Sequence, residues 1–159
     1  TVYRGGSYMD GLISTVAMVD GQDATQKIAD MVMNSRFYSQ IQIMLLDGIA
    51  VGGFNVIDVY KLNSLTRIPI IIVMRHLPDH DRMFSAMRKL DMHDKISMIS
   101  KLPKPEKIGK IFIQRIGIQK QDASLIVEMT CTRSIIPEPL RQAHIIASGI
   151  VRGESYGGS

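Results

Sequence analysis

Two carboxylates and a group of cations stand where chemistry is easy to place. Asp47-Gly48 follows the apolar run Ile41–Leu46, and Arg75-His76 follows Ile70–Met74. Short continuous apolar runs read as strands covered on both faces. In open α/β sheets, sites form beyond the carboxyl ends of parallel strands. If these two strands are neighbours, a carboxylate and a guanidinium emerge side by side at one sheet edge. That is a metal-binding or substrate-binding carboxylate with a cationic partner. The structural alternative is that Asp47-Gly48 makes the turn, while Arg75 caps a helix or simply pairs with Asp47.

A second constellation lies near the end of the chain. Arg141, His144, Ser148 and Arg152 are spaced by 3, 4 and 4 residues, so one helix face carries them all. Two Arg around a single His suit a phosphate oxygen or a metal-activated water; a solvated face is the plainer reading. Asp23 opens a third candidate. It precedes a helical pattern, and with Gln26 three residues later it resembles a capping box, a full structural role by itself.

The elements that must position these residues follow from pattern. Thr1–Arg4 reads as a strand at the very first residue, an expectation that places the natural N-terminus further upstream. After Gly5-Gly6 and the turn signal Asp10-Gly11, Leu12–Val19 is rich in Ile, Val and Thr and reads as a second strand of an antiparallel hairpin. Thr25–Ser35 has helical spacing. Asn55 reads as the cap of an amphipathic stretch to Leu65, and Pro78 as the first turn of a helix running to Leu90. Asp91–Lys101 reads as a short helix, and Pro103, Pro105 and their lysines as a loop. Lys110–Gly117 is the last strand. Asp122–Thr132, with Cys131 inside it as a buried inert thiol, and Pro137 to about Arg152 are the last helices; Gly157-Gly158-Ser159 reads as a frayed tail. Hairpin strands followed by strand–helix alternation give an α/β fold with a mixed sheet and a central parallel pair.

Composition removes other classes. The chain has 159 residues, 45% hydrophobic and 21% charged, as a soluble domain of one core would. One cysteine forms no internal disulfide, which fits a reducing, cytoplasmic setting. The longest apolar run, Pro69–Met74, is far short of the ~20 residues of a membrane span. A net charge of +4 permits nucleic-acid binding, and nine aromatics without Trp argue against a broad base-stacking platform. Phosphate-loop, dinucleotide and nucleophile-elbow patterns are absent, and four scattered histidines have no zinc spacing.

Several strings carry a resemblance. Arg4-Gly-Gly-Ser-Tyr-Met-Asp-Gly, Asp20-Gly-Gln-Asp-Ala-Thr, Met44-Leu-Leu-Asp-Gly-Ile, Ile136-Pro-Glu-Pro-Leu-Arg-Gln-Ala-His and Ala147-Ser-Gly-Ile-Val-Arg-Gly-Glu-Ser resemble an uncharacterised, mainly archaeal family, domain of unknown function ninety-nine. The likeness runs from Thr1 to about Ser155, and the family is itself similar to endonuclease V. The resemblance implies one ribonuclease-H-like domain over residues 1–159, a mixed sheet with helices on both faces, and Mg²⁺-dependent cleavage of DNA or RNA. It implies Asp47 and Asp23 as metal ligands, with His144 beside them in catalysis and Arg75, Arg141 and Arg152 on phosphate. Gly52-Gly53-Phe54 stands where endonuclease V has a His. The first-strand Asp of such sites lies upstream of Arg4-Gly-Gly, which implies that the natural first strand is missing from this chain. An edge strand left without its neighbour would favour a homodimer. The readings carried forward are a metal-dependent nuclease, a nucleic-acid or nucleotide-binding module without cleavage, and a partner-binding protein in which Asp47 and Asp23 serve only turns and caps.

Overall fold

The computed structural model describes residues 1–155. Val2–Arg4 (β1) and Tyr8–Gly11 (β2) form an antiparallel hairpin as a small sheet of their own. The expected hairpin is present, but its second strand is not Leu12–Val19. Asp10-Gly11 ends β2 instead of turning, and Asp10 pairs with Arg4 across the hairpin at 3.2 Å. Residues 12–18 have no regular structure, and Val16, Met18 and Val19 face solvent. β-Branched side chains favour a strand only when there is a surface to pack against, and this segment has none.

The chain then forms α1 (Ala24–Met33), a 3₁₀ turn at Tyr38–Gln40, and β3 (Met44–Asp47). A second small hairpin follows, β4 (Ala50–Val51) with β5 (Asn55–Val56), and leads into α2 (Val59–Thr66). Next come β6 (Ile70–Met74), α3 (His80–Lys89), α4 (His93–Ser100), β7 (Glu106–Ile108), β8 (Ile111–Ile116), α5 (Lys120–Thr130) and α6 (Glu138–Arg152). Asn55 therefore lies in a strand, and the α2 cap is Asp58, whose carboxylate accepts from Lys61 N at 3.0 Å. Pro78 precedes the α3 cap, Asp79, which accepts from Arg82 N. Cys131 ends α5 rather than sitting inside it. The Gly157–Ser159 tail lies outside the described residues.

The main sheet has the order β3-β6-β8-β7. β3 and β6 are the expected parallel pair, with Asp47 beside Val73, and the other two pairings are antiparallel. β7, within the stretch read as a loop, is a three-residue edge strand entered through Pro105 and carrying exposed Lys107. Proline and lysine suit an edge, where one row of backbone groups needs no partner. β6 is the spine, with Ile70 to Val73 all fully buried. Ile70 and Ile72 pack with Ala24, Ala29, Val59 and Leu62 of α1 and α2. Ile71 and Val73 pack with Ile113, Ala123, Val127 and Leu140 on the α5 and α6 face. Each branched chain so buried contributes roughly 1.5–3 kcal/mol. A third cluster, Val56 with Met87 and Ile99, ties the β4–β5 hairpin to α3 and α4.

Candidate functional site

The parallel pairing of β3 and β6 brings Asp47 and Arg75 to one end of the sheet. Asp47 is the last residue of β3, and Gly48 N donates to Val73 O at 3.0 Å, closing the strand end. Gly48 has φ +73°, a conformation that releases the chain sharply after the carboxylate. Leu45 packs on the α5–α6 face, and strand alternation sends Asp47 the same way. Asp47 is exposed and accepts no hydrogen bond among the described residues. Arg75 and Asp47 make no ion pair. The carboxylate and guanidinium are thus neighbours by topology, each open to another partner.

Asp23 has opposite surroundings. It holds the N-cap position of α1, yet its side chain does not cap that helix. Its Oδ1 accepts from Asn55 Nδ2 at 2.6 Å and from Met18 N at 3.1 Å, while Oδ2 lies 3.4 Å from the same Met18 N. The Asn55 amide, opposed by partial burial and helped by the Met18 N–H, holds the Asp23 carboxyl below its ordinary range. The capping box does not form, because Asn55 replaces it: fully buried, Asn55 accepts Ala24 N at 3.1 Å, while Gln26 turns to Asp30.

This loop is anchored from beneath by Lys95, a buried lysine of α4 that sequence reasoning missed. Its Nζ donates to Asp20 O at 3.1 Å, Gly21 O at 3.0 Å and Phe54 O at 2.7 Å. Three donors meet three carbonyls, which satisfies the ammonium without a counter-ion. Asp20 in turn accepts Phe54 N at 2.7 Å, and a Cβ on Gly53, at φ +81°, would run into the Asp20 carboxylate. No local sequence signal marks Lys95, because its partners are 41 to 75 residues away.

The α6 stripe is only partly open. Arg141 makes a bidentate pair with buried Glu138, Nε to Oε2 at 2.8 Å and Nη2 to Oε1 at 2.6 Å, and Gln142 adds a third bond. Arg141, reinforced by Gln142, holds the Glu138 carboxyl at about 2, against an ordinary 4.5, despite the opposing effect of burial. Glu138 was also missed. Its signal was legible as an acid three residues before Arg141 on the same helix face. His144 and Arg152 are exposed, Arg152 at the last turn, where a cation suits the helix dipole. Cys131 is half-buried rather than buried as expected, and that partial burial raises its thiol.

Among the described residues, no three His, Cys, Asp or Glu side chains gather closely enough to form a metal cage. The donors present do fit magnesium in its other mode, one carboxylate with water and substrate phosphate completing the shell. Of the two carboxylates the sequence singled out, Asp47 and Asp23, Asp47 is the one without a partner among the described residues. No helix of the described residues is long and apolar enough to cross a membrane.

Comparison with known proteins gives a consistent picture. A family model described as endonuclease dU matches residues 1–151. A UPF0215 protein of Methanothermobacter thermautotrophicus is 43% identical over 162 residues, covering 99% of this chain and 79% of that protein. One from Methanosarcina acetivorans is 44% identical over 164 residues, covering 99% and 84%. The crystal structure of a protein of unknown function from Archaeoglobus fulgidus superposes with a TM-score of 0.89 at 36% identity, over 93% of this chain and 86% of that one.

Proposed function

Because the chain belongs to the endonuclease dU family, we propose that it is a metal-dependent phosphodiester hydrolase acting on nucleic acid, on an α/β scaffold of the ribonuclease-H-like type. The observation that carries this reading is Asp47, a carboxylate at the end of the parallel pair with no partner among the described residues. Its place beyond the strand's carboxyl end is where substrates are received in open sheets. On this reading Asp47 holds a magnesium ion, which when bound would neutralise charge on the phosphate under attack. Arg75, just past the end of the adjacent strand, takes a phosphate oxygen. Exposed His144 and Arg152 extend a cationic face for the backbone, and His144 moves the proton of water or leaving group. Asp23 and Arg141 act from behind, one fixing the 18–23 loop and the other fixing the start of α6. The family's description names deoxyuridine, so uracil-containing DNA is the first substrate to try.

That no second carboxylate clusters with Asp47 in a metal cage among the described residues favours one alternative, a module that binds nucleic acid without cutting it. Incubation of a uracil-containing oligonucleotide with the protein and Mg²⁺ or Mn²⁺, beside calorimetric metal titration, separates the two. A nuclease cleaves, and Asp47→Ala loses both cleavage and metal binding. A binding module shows salt-dependent affinity from its phosphate contacts and no cleavage. If neither nucleic acid nor metal binds, both readings fail.

A further inference from the structure

A cleft of about 300 Å³ lies between α3, α4 and the loop leading to β7, lined by His80, Phe84, Ile99, Leu102, Lys104 and Gln114 among others. Its floor is polar where the fold would suit an apolar residue. Gln114 sits mid-strand in β8, opposite Ile72, and is 3% exposed. One Nε2 hydrogen goes to Pro103 O at 2.7 Å. The other Nε2 hydrogen and the Oε1 acceptor have no partner among the described residues. A buried carboxamide normally has its bonding capacity used, so one that lines a cleft with a donor and an acceptor unused is prepared for a ligand. The surrounding surface is aromatic and aliphatic: Phe84 stacks with His80, ring centroids 5.3 Å apart, and Ile99 and Leu102 add apolar wall. Lys104 is the exposed cation at the rim.

We propose that this cleft is a nucleobase pocket. One base of a bound strand leaves its stack and lies against Phe84 and the aliphatic wall. Its paired donor and acceptor meet the Gln114 carboxamide, as carboxamides meet base edges elsewhere, and Lys104 faces the attached phosphate. The volume is that of a small ligand site, enough for one nucleotide rather than a duplex. Asp47, Val73 and Ile113 form one row across the sheet and face α5 and α6, whereas Gln114, the next residue of β8, faces the other side with Ile72, so the cleft and Asp47 lie on opposite faces of the sheet. A strand that contacts both must pass around the carboxyl end of β3 and β6, so the cleft is a contact separate from Asp47. The inference rests on the nucleic-acid reading but not on cleavage.

The test is titration of deoxyuridine 5′-monophosphate into the protein in the presence of EDTA, followed by side-chain amide and aromatic NMR signals, with 2-deoxyribose 5-phosphate as the base-free control. The expected result is saturable movement of the Gln114 amide and Phe84 signals by the nucleotide alone. Gln114→Leu should weaken binding about tenfold, the loss of one hydrogen-bonded edge. Gln114→Glu, an acceptor only, should shift preference towards deoxyguanosine 5′-monophosphate, whose base offers two adjacent donors. The proposal is overturned if wild-type protein shows no saturable shift at these residues, or if the sugar phosphate binds as well as the nucleotide. Because the wild-type titration decides the matter, a variant that fails to fold does not. Asp47→Ala should leave this binding intact, so a nuclease reading that fails and a pocket that fails give different results.

Discussion

Asp47 and Asp23 both stand where one element hands over to the next, and their surroundings are opposite. Asp23 is drawn into the chain's own network: Asn55 and Met18 bind its carboxylate, Asn55 caps α1 in its place, and Lys95 clamps the loop from below. Asp47 ends a strand beside a parallel neighbour and receives no hydrogen bond from the described residues. The same side chain is scaffold in one place and available in the other. What separates them is whether the fold supplies donors. A carboxylate whose charge already answers internal N–H groups costs folding energy to redirect, whereas an exposed one meets a cation at little cost. Glu138 with Arg141 belongs with the first kind and His144 with the second.

That contrast can be broken at several points, beginning with the largest effect. Lys95→Met leaves three loop carbonyls without their donor and should destabilise the protein by about 3–4 kcal/mol in urea unfolding; a loss within ~0.5 kcal/mol would show that water serves those carbonyls equally well. Glu138→Ala strands the Arg141 guanidinium and should cost about 2–3 kcal/mol by the same measurement. The pH dependence carries a sign. The Glu138 carboxyl is held at about 2, below its ordinary 4.5, so its contribution is complete above pH 4.5 and lost as pH falls from there towards 2. Glu138→Gln should flatten that part of the urea midpoint profile, and an unchanged profile would assign the acid sensitivity to other carboxylates. Asp23 works in the same direction, so Asp23→Asn should lower the midpoint at neutral pH more than at acid pH. The smallest effect on stability is Asp47→Ala, about 0.5 kcal/mol or less, although on the proposed nuclease function it is the most damaging to cleavage. A large stability loss there would return Asp47 to the scaffold and remove the contrast.

Much of this was legible in the residues. The apolar runs named β3 and β6 and their parallel relation, because a strand buried on both faces needs little else to identify it. The helical spacings named α1, α3, α5 and α6 to within a few residues, and Asp47-Gly48 marked where β3 ends. Local pattern misled where the decisive partner was distant. Leu12–Val19 has strand-forming residues without a strand to pair with. Asn55 resembles a helix cap and does cap a helix, but one 31 residues earlier in the chain. Short β7 was hidden by the prolines and lysines that an edge strand tolerates.

Composition, periodicity and a few strings were therefore enough to determine an α/β fold with a mixed sheet and a carboxylate at the end of its parallel pair, because burial and turn chemistry act over a few residues. Only the tertiary structure decided which polar groups are taken and which are left. Lys95, Asn55 and Gln114 find their partners, or lack them, through contacts between distant segments, and hydrogen bonding in a buried place depends on what the rest of the chain brings there.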